Sequence, residues 1–183
     1  LRQTMRFAGN TDPATLGALT VSVLKGEHGA QQRELANLIQ GLRHIEPDLV
    51  TLPNLMFVGV ARCLKESLHV PVLCTLSGED IFLDELPEPH RREAFDLIRE
   101  RGRDVDGFVA TTEYFANHAA SHFGLPREKV HVVRMGVHVE DFAAPADPPA
   151  TPFTIGYLAR VCPAKGLAGL CEALERLRQG GRD

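Results

Sequence analysis

Two cations and a glycine near residue 160 could bind a phosphorylated ligand. Arg160 follows a predicted strand at 153–158, and Lys165 and Gly166 stand at the start of a predicted helix. A helix N-terminus offers unpaired N–H groups and a partial positive charge, so it attracts phosphate. Arg160 and Lys165 would clamp a diphosphate there, and Gly166 permits close backbone approach. The alternative is a solvated surface arginine and a helix-capping lysine.

A second set of candidate residues follows the earlier predicted strands. Its members are Ser77, Gly78, Glu79, Asp80, Thr112, Glu113, Arg134 and Gly136. Ligands of open α/β sheets bind beyond the carboxyl ends of the strands, which is where these residues fall. A glycine followed by two carboxylates could hydrogen-bond sugar hydroxyls or position an acceptor, although a turn with helix N-terminal acids fits equally well. Gly136 is expected to supply a positive φ in a turn.

The elements that must position these residues alternate along the chain. Short runs rich in Val, Ile and Leu predict strands at 48–52, 70–76, 107–111, 130–134 and 153–158. Helical patterns cover 32–44, 55–68, 89–103, 114–123 and 166–178, and Thr11, Asp12 and Pro13 resemble a helix start. This alternation predicts a Rossmann-like, doubly wound parallel α/β sheet.

A proline-rich segment divides the chain. Residues 143–152 read AAPADPPATP, which cannot form a helix or a central strand and predicts a semi-rigid linker. We therefore expect one domain at 1–142 and part of a second at 153–183.

Composition excludes several classes of protein. The 183 residues carry a net charge of −4 and no Trp, so neither a basic nucleic-acid surface nor many stacking platforms are expected. There is no run of roughly 18 apolar residues that would span a membrane. The helices at 32–44 and 89–103 mix both charge signs, which leaves membrane contact undecided.

Metal and redox sites are not predicted. The four cysteines lack metal-ligand spacing and are typical of a reducing compartment, so a cytoplasmic location is expected. His118 and His122 share one helix face, which we interpret as a surface helix. Sequence signatures of P-loop proteins, dinucleotide-binding domains and α/β-hydrolases are absent.

Two stretches on either side of the linker resemble the family 4 retaining glycosyltransferases of the GT-B fold. HVVRMGVHVEDF precedes the linker and FTIGYLARVCPAKGLAGLCEAL follows it, with PVLCTLSGEDIF and DGFVATTEYFANHAASHFGLPREKVHVV upstream. Together they match a pattern of the family in which a Gly-Val turn is followed by a linker, then by a strand that ends near an Arg, and a few residues later by a Lys-Gly pair. In this chain Ala159 stands where the family has Gly.

The resemblance implies transfer of a sugar, with retention of configuration, from a UDP-, GDP- or ADP-linked donor to an unknown sugar, lipid or small-molecule acceptor. Arg160 and Lys165 match the pair that binds the donor diphosphate and stabilises its departure. The resemblance makes 1–142 an acceptor-side domain, N-terminally incomplete, and 153–183 the truncated start of a donor-binding domain. The second set of candidate residues would line the acceptor side, and no metal or other cofactor is implied.

Two other functions stay open. Ser77 stands where many family members have His, and the family's two glutamates separated by seven residues lie late in the donor domain, past Asp183. We expect a piece of a longer enzyme, weak or inactive alone, with a non-catalytic glycosyltransferase-like binding domain as the alternative. The second alternative is an unrelated flavodoxin-like binding module, which would have no affinity for a diphosphate.

Overall fold

A computed structural model describes residues 12–142 and 154–181 of the chain. The chain divides into two compact units, Leu1–Gly136 and Val137–Asp183. The predicted linker at 143–152 lies outside the described residues, so its structure and the predicted domain boundaries stay predictions.

The first unit is built on one parallel sheet. Within the described residues its strands are β1 (Val50–Leu52), β2 (Val72–Thr75), β3 (Gly107–Ala110) and β4 (Val130–Val132), in the order β1-β2-β3-β4. Val50 pairs with Val72, Leu73 with Gly107, and Phe108 with Val130. These four strands and the parallel Rossmann-like α/β fold were predicted, and both are confirmed.

Helices connect the strands and supply most of the remaining core. They are α1 (Pro13–Leu24), α2 (Gln32–Ile45), α3 (Ala61–Leu68), α4 (Asp80–Asp84), α5 (His90–Arg101) and α6 (Glu113–Phe123). Short 3₁₀ segments lie at Gly26–His28, Leu55–Val60, Gly102–Asp104 and Arg127–Lys129. Phe108 of β3 and Phe123 of α6 are fully buried in a core that also takes Leu24, Leu55 and Ile98. Burial of these side chains is the main favourable contribution to folding.

The predicted start of α1 is formed. The Asp12 carboxylate accepts hydrogen bonds from the Thr15 backbone N–H at 3.0 Å and from the Thr15 hydroxyl at 3.2 Å. Pro13 occupies the first helical position, where a missing N–H costs nothing. Thr11 lies outside the described residues.

The helix predicted at 55–68 is divided, and its first part contains a glycine in close contact with α1. A 3₁₀ segment, Leu55–Val60, precedes α3. A Cβ atom placed on Gly59 would lie 2.2 Å from the carbonyl oxygen of Leu24. The backbones of α1 and the 3₁₀ segment therefore meet at a distance that only glycine allows.

In the second unit a 3₁₀ turn, Pro163–Lys165, leads into α7 (Leu167–Gln179), and another lies at Val139–Asp141. The predicted strand at 153–158 is wrong for residues 154–158, which form no strand; Phe153 lies outside the described residues. An apolar segment becomes a strand only with a neighbour that pairs its backbone, and the described part of this unit has none. None of the helices in the described ranges combines the length and the apolar character needed to cross a bilayer.

Candidate functional site

The turn after β2 is held by a buried carboxylate. Glu79 is 5% exposed. Its Oε1 accepts a hydrogen bond from the backbone N–H of Leu55 at 3.0 Å, and its Oε2 accepts one from the N–H of Ser77 at 2.9 Å. Glu79 therefore joins the loops that follow β1 and β2. Both of its oxygens bind backbone groups of the fold, and the acceptor-side role of Glu79 stays a prediction.

Gly78 makes the turn possible. Its φ is +88°, a left-handed conformation that glycine adopts without a steric penalty. The turn brings Glu79 back to the Ser77 N–H and starts α4 at Asp80. Ser77 and Asp80 lie at the carboxyl edge of the sheet, as the sequence predicts.

Asp80 is paired with a histidine on α6. The Asp80 Oδ2 atom lies 3.2 Å from the His118 Nε2 atom, and both side chains are about two-thirds or more buried. The Oδ1 atom of Asp80 has no hydrogen-bond partner in the described part of the chain. One oxygen is thus held and the other is free to accept a hydrogen bond from a ligand.

A second pair repeats the arrangement one helical turn further along. His122 Nε2 lies 3.1 Å from Asp84 Oδ2, and Arg91 donates to Asp84 Oδ1 at 3.0 Å. The rings of His118 and His122 stack with centroids 5.1 Å apart. Two Asp–His pairs therefore connect α4 to α6. The sequence predicted only a surface helix here; the signal was the i,i+4 spacing of Asp80 with Asp84 and of His118 with His122.

A cavity of about 380 Å³ opens where β3 and β4 end. It is lined by Thr111, Thr112, Glu113, Arg134 and Met135. Three of these are predicted acceptor-side residues, and the fold brings them together. The Thr112 hydroxyl caps α6 by accepting a hydrogen bond from the Phe115 N–H at 3.1 Å.

Of the two charged residues that line this cavity, one has an ion-pair partner and the other is unpaired in the described part of the chain. Glu113 accepts a hydrogen bond from Arg127. Arg134 is exposed, and its guanidinium has no partner among the described residues. Arg134 can therefore bind an anionic or hydroxylated ligand without first giving up a protein contact.

Gly136 differs from the prediction. Its φ is not positive, and no turn forms over residues 133–138. A Cβ atom at Gly136 would meet nothing within 4 Å. Neither the φ of Gly136 nor its surroundings therefore require glycine at this position.

The start of α7 presents the predicted cations in the second unit. Gly166 has a φ of +73° and precedes the helix, whose first turn has no side-chain cap. The Tyr157 hydroxyl donates to the Lys165 carbonyl at 3.2 Å and so fixes the backbone there. The side chains of Arg160 and Lys165 are exposed and unpaired within the described ranges. Unpaired N–H groups at a helix start attract phosphate, and Lys165 directly precedes Gly166 and this helix.

Within the described residues, no group of three or more His, Cys, Asp and Glu side chains is arranged to hold a metal ion.

Comparison with known proteins identifies similar sequences. The family model described as Glycosyltransferase Family 4 matches residues 19–141. The chain is also 32% identical over 141 residues to WcaL of Escherichia coli (strain K12), whose name assigns it to colanic acid biosynthesis as a glycosyltransferase. That match covers 76% of this chain and 32% of WcaL, so the chain spans about a third of its relative.

Proposed function

This chain belongs to glycosyltransferase family 4, and we propose that it takes part in sugar transfer from a nucleoside-diphosphate sugar to an acceptor hydroxyl, with retention of configuration. In that reaction the C1–O bond to the diphosphate breaks and a bond from C1 to the acceptor oxygen forms. The nucleoside diphosphate and the hydroxyl proton are the other products. The resemblance to this family implies the GT-B fold and retention of configuration.

The start of α7 is the observation that carries the proposal. Negative charge grows on the diphosphate oxygens as the C1–O bond breaks. Arg160, Lys165 and the uncapped N–H groups after Gly166 would stabilise that charge. Arg can bind two phosphate oxygens at once, whereas Lys acts as a point charge.

The acceptor side would be formed by the carboxyl edge of the sheet in the first unit. Asp80 offers a free carboxylate oxygen. Thr112, Glu113 and Arg134 line the cavity beyond β3 and β4. Ser77 and Gly78 shape the turn that presents Asp80, and Glu79 holds this turn in place.

The proposal needs no bound metal, since the two cations supply the charge that a metal would otherwise supply at the leaving group. It also places the protein in the cytoplasm, where nucleoside-diphosphate sugars would be its donors. All four cysteines are unpaired, which supports a reducing compartment.

A donor screen with the full-length protein tests the proposal. UDP-, GDP- and ADP-sugars are incubated with and without a mixture of acceptors, and release of the nucleoside diphosphate is measured. We expect release from at least one donor class, increased by acceptor. Binding of a nucleoside diphosphate without any release from the donors would favour the non-catalytic binding domain. The absence of both binding and release would contradict the proposed sugar transfer.

A further inference from the structure

An exposed aromatic ring lies against the imidazole that holds Asp80. Tyr114 is 78% exposed, yet its ring is parallel to the His118 ring, with an interplanar angle of 1° and centroids 6.1 Å apart. Tyr114, His118 and His122 follow one another at i,i+4 spacing on α6 and form a stacked row. Such stacking restrains a side chain that exposure alone would leave free to rotate.

Asp80 and Tyr114 are thus both positioned by His118. The imidazole binds the Asp80 Oδ2 atom at 3.2 Å and stacks against the Tyr114 ring. Its own position is set by α6 and by the stack on His122, which Asp84 holds at 3.1 Å. A free carboxylate oxygen and an accessible aromatic face therefore stand around one fixed ring.

The chemistry of the cluster selects its ligand. A carboxylate only accepts hydrogen bonds and repels anions, so the ligand group at Asp80 must donate a hydrogen bond and carry no negative charge. An exposed ring face binds a flat, weakly polar surface. A pyranose has both features, since its hydroxyls donate and the C–H groups on one face form an apolar patch.

We propose that Asp80, His118 and Tyr114 form a pyranose-binding subsite, with Asp80 accepting from sugar hydroxyls, Tyr114 stacking on the sugar ring, and His118 acting as a positioning residue. The proposal that this is the acceptor subsite, and that the acceptor is therefore a carbohydrate, rests on the proposed function. The proposal that the subsite binds a sugar is independent of it.

The tyrosine content of the chain makes the subsite directly observable. The chain has no Trp and two Tyr residues, Tyr114 and Tyr157. In a Tyr157→Phe background all tyrosine emission of this chain comes from Tyr114. The probes are methyl glucoside, methyl galactoside and methyl mannoside, each titrated against the 183-residue chain.

We expect a saturable change in emission with at least one hexoside. Sorbitol, which has the hydroxyls but no ring, should cause none. Asp80→Asn and His118→Ala should each weaken binding by about tenfold or more, because each removes or misplaces the charged acceptor. His44→Ala is the matched control: it removes an exposed histidine on α2, outside the cluster, and the affinity should stay within about threefold.

Saturation-transfer NMR on the same mixtures reads contact without relying on emission. Magnetisation should reach the protons of one hexoside face, and Tyr114→Ala should abolish this transfer. Circular dichroism of the helices shows whether each variant is folded. If His118→Ala unfolds, Asp80→Asn still tests the subsite, because it preserves the shape of the side chain.

Four outcomes would overturn the subsite: no response to any hexoside, an equal response to sorbitol, a response to uridine, guanosine or adenosine in place of the hexosides, or an equal loss in His44→Ala. None of these readouts requires a donor or turnover. A chain that binds hexosides but transfers no sugar would therefore contradict only the proposed function, and the reverse result would contradict only the subsite.

Discussion

The backbone N–H of Leu55 donates a 3.0 Å hydrogen bond to the carboxylate of Glu79, 24 residues further along the chain. The other carboxylate oxygen binds the Ser77 N–H at 2.9 Å. One buried side chain therefore sets the relative position of two loops at the carboxyl edge of the sheet.

Replacing Glu79 should destabilise the first unit. Glu79→Ala would leave two backbone N–H groups without their acceptor, which typically costs about 1–3 kcal/mol for each buried group left unsatisfied. Glu79→Gln keeps one acceptor oxygen and should lose less. Urea unfolding measures both, and an Ala variant as stable as the parent would show that solvent replaces the carboxylate freely.

Gly59→Ala should be strongly destabilising. The new Cβ would lie 2.2 Å from the Leu24 carbonyl oxygen, a backbone atom that cannot rotate away. We expect a loss of about 1–3 kcal/mol or more in the free energy of unfolding. Gly41→Ala on α2 is the matched control, since a Cβ there meets nothing within 4 Å and should stabilise the helix by roughly 0.5–1 kcal/mol. Equal effects of the two substitutions would contradict the close approach.

Asp106 should make the stability of the first unit depend on pH. Partial burial tends to raise the pKa of Asp106, but hydrogen bonds from Lys65 and the Val72 N–H outweigh it and lower the pKa overall. Those bonds are 2.7 Å to Lys65 Nζ and 2.8 Å to the Val72 N–H.

A carboxyl whose pKa is lowered by folding stabilises the fold above its unfolded pKa of about 3.9, and that stabilisation is lost as the pH falls through the folded pKa. Asp106→Asn should therefore be less stable than the parent at pH 7, and the difference should shrink below about pH 4. Asp48→Asn, at an exposed position without a hydrogen bond in the described part of the chain, serves as control. A difference that stays constant with pH would rule out the Asp106 ionisation as its cause.

Lys165→Ala should lower turnover of the full-length enzyme by about 10²-fold or more, because one charge donor at the leaving diphosphate is lost. Arg176→Ala changes a cation near the opposite end of α7 and should leave turnover close to normal. A near-normal rate for Lys165→Ala would make Lys165 a structural residue.

The sequence predicts the sheet well because its strands are buried apolar runs. Val72, Cys74 and Phe108 point into a core that a parallel sheet must cover on both sides. The same pattern was misleading at 153–158, since periodicity does not reveal whether a pairing partner exists. The five-residue helix α4 was predicted only as an alternative, through the helix N-terminal acids after Gly78, because it is too short to show a helical period.

The candidate site was predicted by position rather than by role. Ser77, Asp80, Thr112 and Arg134 lie at the carboxyl ends of strands, as the parallel topology requires. Glu79 could not be distinguished from Asp80 by sequence, because its partner, the Leu55 N–H, is a backbone group on another loop. His118 owes its importance to Asp80 and Tyr114, and only the packing of α4 on α6 brings the aspartate to it.

Hydrogen exchange of the full-length protein with and without nucleoside diphosphate tests the central claim most directly. UDP, GDP and ADP are added in turn, and the peptide that spans residues 157–170 is followed. We predict that at least one of them slows exchange at the amides after Gly166, and that Arg160→Ala and Lys165→Ala each remove this protection. Unchanged exchange there with all three nucleotides would contradict the diphosphate site.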